Sequence, residues 1–154
     1  MTEPARDRIV VGVDGSEPSL SALRWAVEQA RLVGAGIDAG IDAVICWQHP
    51  AAYGWETFDI ATDFASMARG RLEDAIKQVP HDGVDVRQQV LEGPAPLVLL
   101  EASLGARLLV VGSRGHGGFS GMLLGSVSQH CVQHASCPVV VVRGARDVAH
   151  HPAA

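Results

Sequence analysis

Apolar runs of strand length alternate with segments of helical periodicity along the whole chain. Most of the runs are rich in β-branched residues, and glycine, proline or polar turn residues bound them, a pattern typical of buried strands. Between them, apolar residues recur every three or four positions, as on the buried face of an amphipathic helix. The predicted strands are Ile9–Asp14, Ile41–Trp47, Val84–Val90, Leu108–Val111 and Val139–Val142. The predicted helices extend from Ser16 to Gly34, from Phe64 to Val79, from Ala95 to Leu104 and from Val127 to Ala135.

This alternation of strands and helices predicts an α/β fold. Parallel strands joined by right-handed helical crossovers form a sheet with helices on both faces, here a single-domain, doubly wound, five-stranded parallel sheet. The segment Val84–Val90 alternates only weakly and suits a strand near a sheet edge. We expect one domain over residues 8–143, between a flexible amino terminus at residues 1–7 and a flexible tail at residues 144–154.

Composition narrows the class of protein. The 154 residues suffice for one domain with a core, and a hydrophobic fraction of 47% with a charged fraction of 19% is typical of a globular protein. The formal net charge of −5 argues against general affinity for nucleic acid or for an anionic membrane surface. The amino terminus lacks the apolar core of a signal peptide, and no apolar run reaches membrane-spanning length, so we expect a cytoplasmic protein.

The most informative stretch lies between Arg107 and Ser126, where a predicted buried strand leads into a glycine-rich loop and then a helix. Glycine is favoured where the backbone takes positive φ or lies against a ligand, and we interpret the glycines between Gly112 and Gly121 in this way rather than as packing residues. The amides of such a loop and the positive end of the following helix together form an anion site. The sequence therefore predicts a phosphate-binding loop.

The spacing of the glycines excludes two common phosphate loops. A Walker loop requires a lysine directly before its Ser or Thr, and the only lysine of the chain is Lys77, far from this loop. The dinucleotide fingerprint also fails, because in a count that starts at Gly115 the third glycine falls at Gly121, one position late. What the sequence does contain is Gly112-x2-Gly115-x9-Gly125-Ser126.

This motif and three other segments resemble the universal stress protein family, in particular the subgroup whose Gly-x2-Gly-x9-Gly-Ser/Thr motif binds ATP. The other segments are Val-Gly-Val-Asp-Gly-Ser at the first strand, Leu-Leu-Gly-Ser-Val-Ser at the last helix and Cys-Pro-Val-Val-Val-Val at the last strand. The resemblance implies an adenine nucleotide alpha hydrolase-like (Rossmann-like) fold with strand order 3-2-1-4-5. It also implies ATP as the ligand, with or without Mg²⁺ on the phosphates.

The resemblance implies which residues of this sequence would contact a nucleotide. In ATP-binding relatives the backbone of the first-strand turn approaches the nucleotide, its Asp lies near the ribose and phosphates, and a residue of the second strand borders the adenine. The glycine loop and the start of the last helix wrap the ribose and phosphates. The matching residues are Gly12, Val13, Asp14 and Gly15 in the first turn, Val44 in the second strand, Gly112, Ser113, Arg114, Gly115, His116, Gly117 and Gly118 in the loop, and Gly125, Ser126 and Val127 at the helix start.

Several of these residues also have simpler structural explanations. Asp14 could simply brace the turn without contacting a nucleotide, because Asp is a common turn residue. Ser126 could likewise be an N-cap and nothing more. Val44 fits the core with or without a nucleotide. Arg114 could reach a phosphate or be solvated. His116 is the one acid or base candidate in the loop, and no residue that would orient it can be named from the sequence.

Histidines and cysteines raise the question of a metal or redox role. His130 and His134 lie four apart on a predicted helix and share a face, but no Glu follows His130 as in a metalloprotease, and histidines near a helix end also suit its dipole. We therefore assign no metal site from the sequence. Cys46, Cys131 and Cys137 contain no Cys-x-x-Cys pair, and we expect buried, reduced thiols.

These observations leave more than one class of function open. We expect an ATP-binding regulator of the stress response that acts through an unidentified protein partner, because no lysine clamp, arginine finger or water-activating base is recognisable. The alternatives are a slow ATPase or phosphoryl-transfer protein that uses Asp14, and an interaction module that binds no nucleotide. The apolar strand Val139–Val142 would leave an aggregation-prone edge, so we expect a homodimer that pairs these strands, as relatives do.

Overall fold

A computed structural model describes residues 7–33, 40–49, 58–114 and 124–144, except the side chains of residues 58–62. Within these ranges, strands and helices alternate strictly along the chain. The elements are β1 (Ile9–Gly12), α1 (Glu17–Val33), β2 (Ile41–Trp47), α2 (Phe58–Gln78), β3 (Val86–Glu92), α3 (Ala95–Ala102), β4 (Leu108–Gly112), α4 (Ser126–His134) and β5 (Val139–Val142). Among these described helices, none is both long enough and apolar enough to cross a membrane.

The strands form one parallel sheet in the order β3-β2-β1-β4-β5. The predicted α/β class, parallel sheet and strand order are therefore confirmed. Strands β1 and β4 are adjacent although they are distant in sequence, and Ile9 pairs with Leu108 and Val11 with Val110. The winding of the chain reverses between these two strands, because β2 and β3 extend the sheet on one side and β5 on the other.

The central strands are buried on both faces. Side chains of β1 alternate between two cores: Ile9 and Val11 pack below α1 and α2, whereas Val10 packs below α3 and α4. In β4, Val110 belongs to the first core and Leu109 to the second. Burial on both faces explains why these strands are continuous apolar runs in the sequence rather than alternating ones.

Both edge strands refine the sequence prediction. Strand β3 lies at one edge, as predicted, but begins at Val86 rather than at Val84, because the Val84 N–H closes a turn onto the carbonyl oxygen of His81 (2.9 Å). Strand β5 lies at the other edge, and all four of its valines are half-buried. The edge position expected for this strand is therefore confirmed.

The amino edge of the sheet carries a buried ion cluster. Asp42 of β2, 2% exposed, accepts hydrogen bonds from Arg8 Nε (2.7 Å) and from Arg87 Nε (2.8 Å). Arg8 also donates to the carbonyl oxygen of Ile41 (2.9 Å) and pairs with Asp85 (3.2 Å). The cluster joins the amino ends of β1, β2 and β3. It therefore lies at the opposite end of these strands from their carboxyl ends.

Candidate functional site

The carboxyl ends of β1 and β4 lie side by side. The pairing of Val11 with Val110 brings together the strand ends Gly12 and Gly112. In open parallel sheets, ligands bind beyond the carboxyl ends of strands where the winding reverses. The turn after Gly12 and the loop after Gly112 therefore both begin at the carboxyl end of the sheet, where such a ligand site is expected.

The turn after β1 is closed by hydrogen bonds among short polar side chains. Asp14 Oδ1 accepts hydrogen bonds from the N–H of Ser16 (2.9 Å) and from its hydroxyl. Gly15 has a φ of 85°, in the left-handed region that favours glycine. Asp14 therefore braces this turn, the simpler of its two suggested roles, and its contact with a nucleotide stays a prediction.

The amino terminus of α1 is capped. Ser16 Oγ accepts a long hydrogen bond from the N–H of Ser19 (3.4 Å), and the Ser16 carbonyl accepts one from the N–H of Leu20 (3.0 Å). Glu17 adds an acidic residue to the first turn. Ser16 is thus the cap of α1, and part of the positive end of this helix is already satisfied by the protein itself.

The start of α4 is fastened directly to the end of β4. The carbonyl oxygen of Ser113 accepts a hydrogen bond from the N–H of Gly125 (2.7 Å), and the hydroxyl of Ser128 lies within 3.0 Å of the same oxygen. The N–H of Ser113 in turn donates to the carbonyl of Val142 in β5 (2.8 Å). The loop between residues 113 and 125 therefore leaves and returns at one point of the sheet edge.

The amino terminus of α4 differs from that of α1 because, among the residues that the structure describes, no side chain caps it. Gly125 is its N-cap, with φ −73° and ψ 168°, and the first turn contains no acidic residue. The suggestion that Ser126 is only an N-cap is therefore wrong, since Ser126 is the first helical residue and is exposed. First-turn amides lack an acceptor within their own helix, and with the positive helix end they can bind an anion.

Packing within the protein accounts for two glycines of the predicted site. A Cβ atom at Gly112 would lie 2.7 Å from the carbonyl carbon of Pro18, and one at Gly12 would lie 3.0 Å from Leu99 Cδ1. Neither glycine has a positive φ. The interpretation of Gly112 as a residue without a packing role is therefore wrong, because α1 passes so close to β4 that no side chain fits. The same contact brings the first turn of α1 to this edge.

The remaining predicted residues divide between core and loop. Val13 and Val44 are 4% and 1% exposed, and the Val13 N–H donates to the Val44 carbonyl (2.8 Å). The expected core role of Val44 is confirmed, and Val127 also packs partly against the core. Arg114 is half-buried directly beyond β4. Four predicted residues lie outside the described part of the chain: Gly115, His116, Gly117 and Gly118.

Two residues that shape this edge are absent from the sequence prediction. Ser128 is 2% exposed and holds α4 against β4. The sequence could have indicated this role, because Ser128 is a serine in the first turn, on the face of the helix that points inward. Pro18 fills the space above Gly112, and nothing local in the sequence indicates this contact because the two residues meet only through the order of the strands.

Three thiols belong to the core below α3 and α4. Cys46, Cys131 and Cys137 all pack in this core, and none of them is in a disulfide. Burial, and secondly a neighbouring thiol, raises the pKa of Cys46 and of Cys131 to about 11. The three thiols therefore lie in core elements, with Cys131 fully buried as expected and the other two only half-buried.

Comparison with known proteins gives the family. The model of the universal stress protein family matches residues 5–143. The chain belongs to the universal stress protein family. The universal stress protein Rv2624c of Mycobacterium tuberculosis is 33% identical over 147 residues, which is 94% of this chain and 51% of that relative. This member of the family therefore spans about half the length of the curated relatives it matches.

Solved structures of universal stress proteins share the fold. UspA from Lactobacillus plantarum superposes with a TM-score of 0.72 at 19% identity, over 92% of this chain and 100% of that protein. At this identity the similarity concerns the fold alone. A universal stress protein in complex with cAMP gives a TM-score of 0.53 at 26% identity, over 90% of this chain and 98% of its own. At least one protein with this fold thus binds an adenine nucleotide.

Proposed function

We propose that this universal stress protein binds ATP beyond the carboxyl ends of β1 and β4, at the amino terminus of α4. We further propose that it acts as a nucleotide-dependent regulator in the stress response. The observation that carries the proposal is the uncapped amino terminus of α4, which is fastened to the end of β4 and has no acidic residue in its first turn. Such a terminus suits a phosphate group. The relative bound to cAMP supports an adenine nucleotide as the class of ligand.

Backbone amides rather than basic side chains would hold the phosphates. The chain carries a net charge of −5, so an anionic ligand depends on local dipoles at its site. The amides at Ser126 and Val127 would face the phosphates together with the backbone of the glycine loop, and Arg114 begins that loop. A Mg²⁺ ion on the phosphates would use Asp14 as its protein carboxylate, because Mg²⁺ prefers oxygen ligands. The adenine would lie near the backbone of Val44, whose side chain is in the core.

Binding without rapid turnover fits the side chains at this edge. Phosphoryl transfer in known ATPases uses a lysine or arginine that neutralises the developing charge. The single lysine of the sequence, Lys77, is in the last turn of α2. Asp14 already accepts two hydrogen bonds from Ser16, which favours a positioning role over that of a base.

ATP binding is tested by chromatographic identification of any nucleotide that co-purifies, followed by calorimetric titration with ATP. Gly125→Val is the informative variant, because the backbone at Gly125 has angles that any residue can adopt, and the added side chain would obstruct the ligand. We expect at least a tenfold loss of ATP affinity. Gly70→Ala, on α2 with open space around it, is the control. Unchanged affinity in folded Gly125→Val protein would contradict the proposal.

Phosphate release in the same preparations separates a regulator from a slow ATPase. Turnover that is lost in Asp14→Ala, with ATP binding retained, would assign an enzyme and overturn the regulator. A folded protein that binds none of ATP, ADP, AMP or cAMP would instead be an interaction module. ATP binding without measurable phosphate release is the result that we expect.

We further propose a cytoplasmic homodimer that pairs its β5 strands and whose nucleotide-bound state is recognised by a protein partner. The carbonyls of Pro138 and Val142 accept hydrogen bonds from Leu109 (2.9 Å) and Ser113 (2.8 Å) of the β4 segment. Alternate residues of a strand direct their backbone groups to opposite sides, so the N–H and C=O of Val141 point to the open edge. These outward groups are what a second β5 strand would pair with.

A further inference from the structure

We propose that His130 and His134 form a site for a late first-row transition metal ion, such as Ni²⁺ or Cu²⁺, on α4. The site is separate from the proposed nucleotide site at the other end of the same helix. The two imidazole rings lie one helical turn apart, with centroids separated by 4.6 Å and planes inclined by 47°. His134 is exposed and His130 is half-buried, so an ion can reach the pair from solvent.

The separation of the rings matches two ligands at adjacent positions around one ion. With a metal–nitrogen distance of about 2.0–2.1 Å, each ring centroid lies roughly 3.2 Å from the ion, and two rings at a right angle then have centroids about 4.5 Å apart. A tetrahedral angle would spread them to about 5.2 Å. Right angles occur in the square-planar and octahedral geometries of Cu²⁺ and Ni²⁺, and the observed 4.6 Å is compatible with them.

The ring nitrogens are available as ligands. Across the described ranges of the chain, no hydrogen bond or ion pair engages the ring of His130 or His134. Neutral imidazole is a strong ligand for these ions, and residues four apart on a helix present their side chains on one face. No third His, Cys, Asp or Glu joins the pair among the described residues, so water would complete the coordination and the ion would exchange with solvent.

The electrostatic surroundings favour a cation at this position. His134 is in the last turn of α4, where the negative end of the helix dipole lies. The sequence contains no lysine or arginine between Ser126 and Val142, so neither α4 nor β5 contributes a repelling charge. Helix α3, which packs beside α4, carries the acidic Glu101 as its one charged residue.

The test uses the full chain without a polyhistidine tag, and Ni²⁺ as the probe because it does not oxidise the three cysteines. We expect Ni²⁺ at about one hundred times its dissociation constant to raise Tm by about 5–10 °C, and Mg²⁺ to leave Tm unchanged. His130→Gln and His134→Gln should each remove the shift while leaving the metal-free Tm within a few degrees. Cu²⁺ should give an electron paramagnetic resonance signal with coupling to two nitrogens.

Two matched controls separate this pair from the other histidines. Val132→His combined with His134→Gln keeps the number of histidines but places them two apart, on different sides of the helix, so the Ni²⁺ shift should be lost. His150→Gln combined with His151→Gln removes the adjacent pair in the tail and should leave the shift intact. A shift that persists in His134→Gln, one that disappears with the tail pair, or no shift in the unaltered protein would each overturn the proposal. Calorimetric titration with ATP should be unaffected by every one of these variants.

Discussion

The hydroxyl of Ser128 lies 3.0 Å from the carbonyl oxygen of Ser113, at the point where β4 ends. Ser128 is 2% exposed, so it holds the first turn of α4 from the inner side of the helix. A helix terminus stabilises a bound anion best when its amides are already fixed in place, because no ordering is then required on binding. This contact leaves the outer amides of the first turn for the proposed phosphate.

Replacing Ser128 should therefore affect both stability and binding. Ser128→Ala removes a buried hydrogen bond, and we expect the free energy of unfolding to fall by about 1 kcal/mol. We also expect ATP affinity to fall several-fold, because the start of α4 loses one of its ties to β4. Urea unfolding and calorimetry measure the two effects. Ser126→Ala, at an exposed position of the same turn, is the control and should leave stability unchanged.

A methyl group at Gly112 should destabilise the fold through α1. Gly112→Ala would place Cβ 2.7 Å from backbone of Pro18, and we expect a loss of about 1–3 kcal/mol as α1 moves away from β4. Gly70→Ala should instead raise the free energy of unfolding. That position on α2 has open space, and alanine favours a helix over glycine by about 0.5–1 kcal/mol. Urea unfolding of the two variants should give changes of opposite sign. A Gly112→Ala protein as stable as the unaltered one would show that Gly112 is not constrained by Pro18.

The sequence predicts the order of elements well because the chain follows simple periodicities. It predicts less about contacts that depend on strand order. The need for glycine at Gly112 arises from Pro18, and the partners of Asp42 are Arg8, directly before β1, and Arg87 in β3, so neither contact has a local sequence signal. A run of four valines does not by itself distinguish a central strand from an edge strand, because the pattern reports apolar faces and not hydrogen-bonded neighbours. The edge position of Val139–Val142 is predicted through the strand order that the family resemblance implies.

The ion cluster at the amino edge should matter for stability and not for the nucleotide. Asp42→Asn leaves the buried Arg8 guanidinium without its buried charged partner, and we expect the free energy of unfolding to fall by about 3–5 kcal/mol. Asp85→Asn removes a pair whose carboxylate is 71% exposed, so the loss should stay below about 1 kcal/mol. Urea unfolding compares the two. A loss of ATP affinity in folded Asp42→Asn protein would show that the two edges are coupled.

Buried thiols should make the protein less stable in alkaline solution. Burial in the first place raises the pKa of Cys46 and of Cys131 to about 11 from the ordinary thiol value of 9.0. As pH rises above about 9, the unfolded chain releases these protons before the folded protein does, so the unfolded state binds fewer protons and the free energy of unfolding falls until about pH 11. Urea unfolding at pH 8, 9 and 10 measures the decline. Cys46→Ala should decline less steeply, and an unchanged slope in that variant would assign the decline to other groups.

The open edge of β5 allows a test of the proposed dimer that leaves the sheet intact. The backbone groups of Val141 point away from β4, because those of Pro138 and Val142 bond to it. Val141→Pro removes an outward N–H without removing a bond to β4, and proline is tolerated on edge strands. We expect a dimer in the unaltered protein and a monomer in Val141→Pro by analytical ultracentrifugation. Val141→Thr keeps the N–H and the strand propensity and should remain a dimer, whereas a Val141→Pro dimer of unchanged affinity would place the interface elsewhere.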